Sequence, residues 1–304
     1  MWVYVYMPDN SYIVAVDSPL KIFPINVRDN DISSYSITPS LPAGLSIAKG
    51  SAKISGIPTE MSAVQTYTIR KRGGRPITIS LGVYASIAGS VYLPTVVYAD
   101  VRLYSNGNVI ATTKTDILGQ YKFVFEPAYL EHALVIEVQG NALSQSTDKE
   151  TNTPIPFTSE DKLVAVVPIM EDKNTTIYKN ITPISTIMSD FISGAVSAST
   201  AGDLATKLYP FDKNQMETLY NTAFEYVEES LQAVQFSGVD SIDITPEFNE
   251  LIKVGVDKLT ALARKENKTV REIITVAGPL AIRAGKKTLG RVDHDPVVPN
   301  PNYM

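Results

Sequence analysis

Apolar and polar residues alternate in short stretches over the first half of the chain, to about residue 147, whereas the second half repeats apolar residues at steps of three and four. Alternation with period two places successive side chains on opposite faces of a strand, and the longer period places them on one face of a helix. Several short strands separated by Gly and Pro turns are typical of an all-β sandwich. The first of these strands are predicted at 12–16, 21–25, 35–37, 53–54, 66–69 and 77–81.

The strongest helical pattern lies between residues 212 and 234. Its apolar stripe runs from Met216 to Val234, and acidic residues such as Glu217 and Glu225 lie opposite. This pattern predicts an amphipathic helix with one buried face and one solvated face.

Local signals predict further helices. Thr182 followed by Pro183 predicts a helix start. Thr caps the first turn, and Pro is tolerated there because a backbone N–H in the first turn has no acceptor within the helix. Apolar periodicity predicts two more helices, at 246–264 and 270–287. Pro279 lies inside the second of these and is expected to kink or split it.

Three motifs in the first strands share their turn chemistry. Ser-Leu-Pro-Ala-Gly-Leu-Ser-Ile begins at residue 40, Lys-Ile-Ser-Gly-Ile-Pro-Thr at residue 53 and Thr-Tyr-Thr-Ile at residue 66. Pro42 fixes its φ, and Gly44 and Gly56 accept φ values that other residues resist. Together the motifs resemble the immunoglobulin-like domain repeated in bacterial and phage surface proteins. The resemblance covers about 18–84 and implies a β-sandwich in a surface context, without catalytic chemistry.

A second strand pattern begins at residue 86. Gly-Ser-Val starts at residue 89, Ala-Asp-Val-Arg-Leu at residue 99 and Thr-Asp-Ile-Leu-Gly-Gln-Tyr-Lys-Phe at residue 115. These segments resemble the carboxypeptidase regulatory-like, or prealbumin-like, β-sandwich, an accessory module that is not a peptidase. Asp116 and Gly119 predict a hairpin turn, since Asp caps its own backbone and Gly permits positive φ. The resemblance covers about 86–141.

These patterns predict a multidomain β plus α protein: two tandem Ig-like/prealbumin-like β-sandwiches followed by a helical domain. The Pro-rich end of the chain is expected to be either disordered or extended along a neighbouring molecule. The predicted boundaries are 1–85 for the Ig-like sandwich, 86–147 for the regulatory-like sandwich, 148–180 for a linker with a returning strand at 163–167, 181–290 for the helical domain and 291–304 for the tail.

Composition removes several classes of site and anchor. The 304 residues include no Cys, which excludes disulfides, thiolate zinc sites, a thiol nucleophile and a lipoprotein lipid anchor for this sequence. The first residues lack a basic leader, so no signal peptide is expected. The longest apolar runs, such as 163–170, fall far short of the roughly 18 residues that span a bilayer, so no membrane insertion is expected.

The net charge of −5 is unevenly distributed. Residues 145–250 carry an excess of acidic side chains, and residues 263–291 carry an excess of basic ones. This asymmetry can direct assembly between copies, or it can reflect two solvated helix faces. We expect a homo-oligomer.

Catalytic groups are scarce in the sequence. His132 and His294 are the two histidines, and no Ser stands in a Gly-x-Ser-x-Gly elbow. The sequence therefore predicts a protein that is not an enzyme and needs no cofactor. The sequence leaves open whether the protein binds a structural calcium ion, because several Asp residues that could supply oxygen ligands lie near turns. An Asp in a turn more often caps the backbone than binds a metal. The candidate ligands are Asp100, Asp116, Asp240, Asp243, Asp293 and Asp295.

The densest group of basic residues comprises Arg70, Lys71, Arg72 and Arg75. It can contact an acidic partner, or it can be the solvated tip of a hairpin. Nucleic acid is not the expected partner, since no aromatic residues alternate with these cations to stack bases. The remaining candidate partner contacts are Asn106, at a loop tip, and Tyr303, in the tail.

Two functional hypotheses follow from these features. The main one is a non-enzymatic structural or decoration protein of a bacteriophage virion (capsid surface, neck or tail), which assembles in the host cytoplasm and needs no export signal. The alternative is a bacterial cell-surface adhesin or glycan-binding protein whose leader is missing from the sequence. The expected partners are other virion or surface proteins, further copies of the chain, or a surface glycan, held by many weak contacts.

Overall fold

The computed structural model describes residues 3–5, 9–24, 35–93, 95–147, 153–171, 173–232 and 270–292. These residues form mostly β-sheet, followed by four α-helices after residue 182, in agreement with the predicted β plus α class. The chain divides into two compact units, and each is assembled from separate stretches of sequence. Unit 1 comprises residues 1–88, 122–130 and 170–178, and unit 2 comprises residues 89–121, 131–169 and 179–304.

The strands are numbered along the chain. Their bounds are β1 Val3–Val5, β2 Ser11–Ala15, β3 Leu20–Ile22, β4 Tyr35–Thr38, β5 Leu45–Ile47, β6 Ile54–Gly56, β7 Ser62–Lys71, β8 Ile77–Ser90, β9 Val96–Val97, β10 Asp100–Ser105, β11 Asn108–Lys114, β12 Gln120–Phe125, β13 Leu134–Gln139, β14 Gln145–Thr147, β15 Pro154–Pro156, β16 Lys162–Val167 and β17 Ile177–Tyr178. A 3₁₀ turn at Pro127–Glu131 separates β12 from β13.

Two sheets enclose the core of unit 1. One has the strand order β1-β3-β6-β5 and the other β12-β8-β7-β4, while β2 and β17 each pair with β8 in parallel. Burial of apolar side chains from both sheets is the main stabilising contribution in such a packing. The largest of these fully buried side chains include Tyr12, Ile22, Ile54, Tyr67 and Leu81.

The glycine turns of the first motif bring two backbone segments into close contact. Gly44 has φ 83° and Gly56 has φ 142°, which confirms the predicted need for glycine. The N–H of Ile57 donates to the carbonyl of Gly44 at 3.2 Å, and the N–H of Thr59 donates to that of Ala43 at 3.0 Å. A Cβ at Gly44 would lie 1.9 Å from the carbonyl oxygen of Ile57, so no side chain fits there.

One long strand replaces two predicted ones. The sequence predicts one strand at 77–81 and a second strand pattern that begins at residue 86, whereas β8 runs without a break from Ile77 to Ser90. The polar residue Ser86 was interpreted as the start of a new module. It is buried within the strand, where its hydroxyl lies 3.1 Å from that of Thr176.

Unit 2 contains a four-stranded sheet with the order β11-β10-β13-β16 and a small sheet with the order β15-β14-β9. The predicted returning strand at 163–167 corresponds to β16, which pairs with β13 in antiparallel orientation, with Val135 opposite Val166. Other described residues of the segment predicted as a linker form β15 and β17.

The predicted turn at 116–119 forms, but it does not join a hairpin. The Asp116 carboxylate accepts hydrogen bonds from the N–H groups of Leu118 and Gln120, both at 2.8 Å, and Gly119 has φ 72°. However, β11 and β12 belong to different sheets. The turn chemistry was therefore correct and the predicted strand pairing was wrong, because local residues determine a turn whereas distant partners determine a sheet.

The helices are α1 Pro183–Val196, α2 Ala201–Leu208, α3 Lys213–Gln232 and α4 Val270–Val292. The predicted amphipathic helix at 212–234 is confirmed by α3 over its described part. Pro279 was predicted to kink or split its helix; α4 continues through it, so of these two outcomes the split is wrong. The predicted helix at 246–264 lies outside the described residues. None of the described helices is long and apolar enough to cross a bilayer.

The helices α1 and α2 of unit 2 pack on its larger sheet, and α3 and α4 pack on α1. Val135 of β13 and Val166 of β16 share a buried apolar cluster with Ile187 and Leu204 of α1 and α2. The two helices α1 and α4 approach each other through glycines. A Cβ at Gly194 would lie 2.1 Å from the carbonyl oxygen of Ile282, and one at Gly285 would lie 2.1 Å from that of Phe191.

The start of α1 has the predicted cap. The hydroxyl of Thr182 accepts a hydrogen bond from the N–H of Ser185 at 3.1 Å, and the Ser185 hydroxyl accepts one from the N–H of Thr182 at 2.9 Å. Pro183 occupies the first turn. This reciprocal capping satisfies two backbone donors that would otherwise lack partners.

Removing this cap is expected to destabilise unit 2 measurably. Thr182→Ala should lower the free energy of unfolding by about 1 kcal/mol, because the N–H of Ser185 loses its acceptor in a buried position. Urea unfolding followed by circular dichroism measures the change. Thr222→Ala, within α3, is the control and should leave stability unchanged or raise it, because Ala is the better helix former. An equal loss in the two variants would contradict the capping role.

Candidate functional site: the basic tip of the β7–β8 hairpin

The predicted basic cluster lies at the end of a hairpin in unit 1. β7 and β8 pair in antiparallel orientation as far as Ile69 opposite Ile77, and the chain turns between them. The N–H of Gly74 donates to the carbonyl of Lys71 at 3.1 Å, and Gly73 has φ 72°. Glycine at the left-handed position permits the tight turn. Residues 70–75 are called the basic tip below.

The structure brings the four predicted cationic residues together in the basic tip. The side chains of Arg70, Arg72 and Arg75 are exposed, and that of Lys71 is half-buried. In the described part of the chain, no carboxylate forms an ion pair with any of the three arginines. Each guanidinium therefore presents N–H donors to solvent, in a geometry that matches phosphate and carboxylate oxygens.

A cavity of about 570 Å³ adjoins the basic tip. Lys71 and Arg75 line it from the turn, together with Asn10, Thr78 and the largely buried Tyr35, which pairs with Lys71 across β4 and β7. Its described lining includes two cations and no carboxylate. We call it the tip cavity. Arg75 contributes to it a positive charge that has no ion pair in the described part of the chain, and such a charge attracts an anionic group.

The outer face of the neighbouring strands is rich in hydroxyl groups. Along β7 the residues Tyr67 and Ile69 are buried, so Thr66, Thr68 and Arg70 project from the opposite face of the sheet. On β8, Thr78 pairs with Thr68 and Ser80 with Thr66, and on β4 Ser36 pairs with Arg70. A row of small polar side chains thus continues from the basic tip along the sheet.

The sequence prediction missed Asn10 and Tyr35 as neighbours of the basic residues. Asn10 lies just before β2, which pairs with β8, and Tyr35 begins β4, which pairs with β7. Only the pairing register brings these residues to the tip cavity, and no local motif marks them.

The other two predicted contacts do not join this group. Asn106 forms the exposed turn between β10 and β11 with Gly107, at φ 44° and 78°, and belongs to unit 2. Positive φ at both positions is characteristic of the tight hairpin turn that Asn-Gly favours. Tyr303 lies outside the described residues, as do His294, Asp240, Asp243, Asp293 and Asp295.

The other chemical candidates have structural partners in unit 2. His132 stacks on Tyr209 with ring centroids 3.7 Å apart, and its Nδ1 lies 3.0 Å from the carbonyl oxygen of Tyr209. Asp100 lies 2.5 Å from the ammonium of Lys114, and this hydrogen bond lowers the pKa of the carboxyl below its usual value. Asp116 caps its turn. Within the described ranges, no three acidic or His side chains are grouped as metal ligands.

No family model matches the chain, and no curated protein matches it. Among solved structures, the major pilin subunit BcpA of Bacillus cereus aligns at 13% identity and a TM-score of 0.24, over 52% of this chain and 57% of the pilin. SGBP-B of the Bacteroides ovatus mixed-linkage glucan utilization locus, solved with a mixed-linkage heptasaccharide, aligns at 14% identity and a TM-score of 0.23, over 41% of this chain and 45% of its own.

The CD2-binding domain of CD58 aligns at 7% identity and a TM-score of 0.21, over 44% of this chain and 91% of that domain. This chain therefore spans little more than half of the pilin and less than half of the glucan-utilization protein. TM-scores of this size carry no functional argument.

Proposed function

We propose that this protein is a non-enzymatic, surface-exposed binding protein that attaches to an anionic glycan of a bacterial surface through the basic tip of unit 1. The observation that carries the proposal is the occurrence of three exposed arginines within residues 70–75, at the end of the β7–β8 hairpin, where Arg75 lines the tip cavity. Of the two hypotheses drawn from the sequence, this is the glycan-binding alternative. The comparisons contain nothing that bears on a virion role.

The electrostatics of the basic tip support an anionic ligand. A guanidinium donates paired hydrogen bonds to a carboxylate or phosphate, and Arg70, Arg72 and Arg75 each carry one. Exposed ion pairs contribute only about 0.5 kcal/mol each, so a single contact is weak and sensitive to salt. A polymer that repeats its charge engages several cations at once, and many copies of the protein multiply the effect.

The surroundings of the basic tip favour a glycan over a protein partner. Protein interfaces are anchored by buried aromatic and apolar side chains, whereas the tip and the strands beside it present guanidinium and hydroxyl groups. None of the large apolar side chains that the described part of unit 1 exposes lies within residues 70–75; they are Ile13, Ile57, Val64, Val124 and Tyr178. Hydroxyl groups that both donate and accept hydrogen bonds suit a polyhydroxylated ligand.

Neutralising the arginines is expected to weaken binding to an acidic polysaccharide. The triple variant Arg70→Gln, Arg72→Gln and Arg75→Gln should bind polygalacturonate at least about tenfold more weakly than the parent protein, since three exposed pairs are lost. The parent's affinity should fall with added salt. Biolayer interferometry on immobilised polygalacturonate measures both effects, with neutral dextran as the reference polymer.

The matched control removes three positive charges from α4. Arg283, Lys286 and Lys287 are exposed, and their replacement by Gln changes the net charge of the protein by the same amount. This variant should retain parental affinity. Equal losses in the two triple variants, or equal binding to dextran, would show an effect of net charge or of general stickiness and would overturn the proposal.

The proposed location is tested separately from the ligand. Antibody labelling of intact cells of the producing bacterium, combined with fractionation, should place the protein in the cell-surface fraction. Its recovery in purified phage particles instead would support the virion hypothesis and contradict the bacterial-surface placement.

A further inference from the structure

Unit 2 contains a second cavity, of about 610 Å³, which we call the helix cavity. Its walls come from the ends of β13 and β16, the turn that precedes β16, α1, the connection from α1 to α2, and α4. Small-molecule sites in proteins have volumes in this range. On α1, Thr186, Asp190 and Ser193 follow one another at helical spacing on the face that lines it.

Two of the acidic groups that line the helix cavity already have partners. Glu137, on β13, is largely buried and lies 3.2 Å from the Arg102 guanidinium and 3.6 Å from the Lys162 ammonium. Asp161 accepts hydrogen bonds from the N–H and the hydroxyl of Thr158, at 2.6 and 2.8 Å. These carboxylates are therefore largely compensated by their own surroundings.

Asp190 differs from both. It is half-buried, and it forms no hydrogen bond or ion pair with the part of the chain that the structure describes. Burial raises the pKa of its carboxyl from 3.8 to about 6. The carboxylate of Asp190 fits against α4 only because residue 278 is a glycine: a Cβ at that position would lie 2.6 Å from Oδ2 of Asp190. An ionised carboxylate in such a position is costly unless a positive group approaches it.

The hydroxyl groups beside Asp190 are arranged as acceptors. Ser189 donates its hydroxyl proton to the carbonyl of Ser185 at 2.7 Å. Thr186 donates to the carbonyl of Thr182 at 3.0 Å and accepts a hydrogen bond from the N–H of Val164 at 3.0 Å. A hydroxyl oxygen has two lone pairs, so that of Thr186 keeps one for a further donor. The lining therefore offers carboxylate and hydroxyl acceptors, and it lacks a described group of three metal ligands.

We propose that the helix cavity binds a small organic molecule through a primary ammonium group, which donates hydrogen bonds to the carboxylate of Asp190. An ammonium group supplies three hydrogen-bond donors and one positive charge. The Asp190 carboxylate needs both, because it has no ion-pair partner in the described part of the chain and its neighbouring hydroxyl groups already donate elsewhere. The site lies in unit 2 and takes a cation, so it is independent of the anion-binding role proposed for the basic tip.

The experiment compares amines with neutral molecules of similar size. Ethanolamine, putrescine and glucosamine are titrated into the full-length protein by isothermal titration calorimetry at pH 7.5, alongside ethylene glycol, 1,4-butanediol and glucose. At least one amine should bind at least about tenfold more tightly than its neutral counterpart, as expected for a charged hydrogen bond. Failure of all three amines to bind, or equal affinity of the neutral counterparts, would overturn the proposal.

The affinity is also expected to depend on pH. The titratable groups that line the helix cavity with Asp190 are Glu137, Glu160, Asp161 and Lys162. Because Asp190 becomes charged as the pH rises through about 6, amine affinity should rise between pH 5 and 7. A pH-independent affinity over this interval would contradict the role of Asp190.

Two variants and one control localise the site. Asp190→Asn should lower amine affinity at least about tenfold. Gly278→Ala should also lower it, because the added methyl group displaces the Asp190 carboxylate while Ala favours the helix. Glu160→Gln, at an exposed position of the same lining, should change the affinity less than about twofold. Circular dichroism confirms that each variant folds. Unchanged affinity in both Asp190→Asn and Gly278→Ala would overturn the assignment.

Discussion

Replacing Gly44 by Ala is expected to destabilise unit 1 by about 3 kcal/mol, with two separate causes. A non-glycine residue at φ 83° costs about 1–2 kcal/mol, and forcing apart two packed backbone segments costs about 1–3 kcal/mol. The second cost arises because the new Cβ would lie 1.9 Å from the carbonyl oxygen of Ile57. Backbone atoms cannot move aside as the end of a side chain can, so the segment that leads into β5 and the segment that follows β6 must move apart. Urea unfolding followed by circular dichroism measures the change.

Gly73→Ala provides the matched control. Gly73 has φ 72°, close to that of Gly44, but a Cβ there would meet no atom within 4 Å. Only the cost of the left-handed conformation remains, so the loss should be about 1 kcal/mol. Equal losses in the two variants would show that the close approach of residues 44 and 57 does not contribute. Two-dimensional NMR spectra should locate the largest changes of the Gly44 variant in β5 and β6.

Replacing Asp190 by Asn is expected to stabilise unit 2 at neutral pH and to have little effect in acid. In the folded protein, burial raises the pKa of this carboxyl from 3.8 to about 6, so the folded state holds the proton more strongly than the unfolded state. Protonated Asp190 therefore contributes to the stability of the folded protein. This contribution is fully present below the pKa of the unfolded state, 3.8, and is lost as the pH rises through the pKa of the folded state, about 6. At pH 7 the variant should be more stable than the parent by about 2 kcal/mol, allowing for partial solvent screening.

Thermal or urea unfolding between pH 4 and 7 measures this difference. The gain should grow from near zero at pH 4 to its full size above pH 6. Glu217→Gln, at an exposed position on α3, is the control and should change stability little over the same interval. A gain that is the same at pH 4 and pH 7 would show that the Asn side chain stabilises by packing and that the charge of Asp190 is not the cause.

Local chemistry was predictable from the sequence. Gly44 and Gly56 were identified as positions of unusual φ, Thr182 and Pro183 as a helix start, and Asp116 as a turn cap. Each of these features depends on residues within a few positions, so the sequence contains the complete cause. The basic tip was also predictable as a group, because its four cations lie within six residues.

Long-range arrangements were not predictable in the same way. The short motifs around residues 86 and 116 indicated a new module and a hairpin, whereas β8 continues through Ser86 and β12 pairs away from β11. Sheet pairing is decided by distant strands and by total burial, neither of which a local pattern contains. The helix cavity was missed for the same reason, since α1 and α4 are almost ninety residues apart in sequence. The one signal in the sequence was the presence of five polar residues in a largely apolar helix: Ser185, Thr186, Ser189, Asp190 and Ser193.

The discontinuous make-up of unit 1 has a consequence for synthesis on the ribosome. Its last stretch, 170–178, carries β17, which pairs with β8, and the strand before it, β12, is made some thirty residues after β8 ends. Chains are synthesised from the N-terminus, so β8 lacks the partners β12 and β17 until the intervening residues have been translated. An expression fragment that stops at residue 85 would contain neither of these two partner strands. The shortest fragment that can complete unit 1 therefore extends to Tyr178.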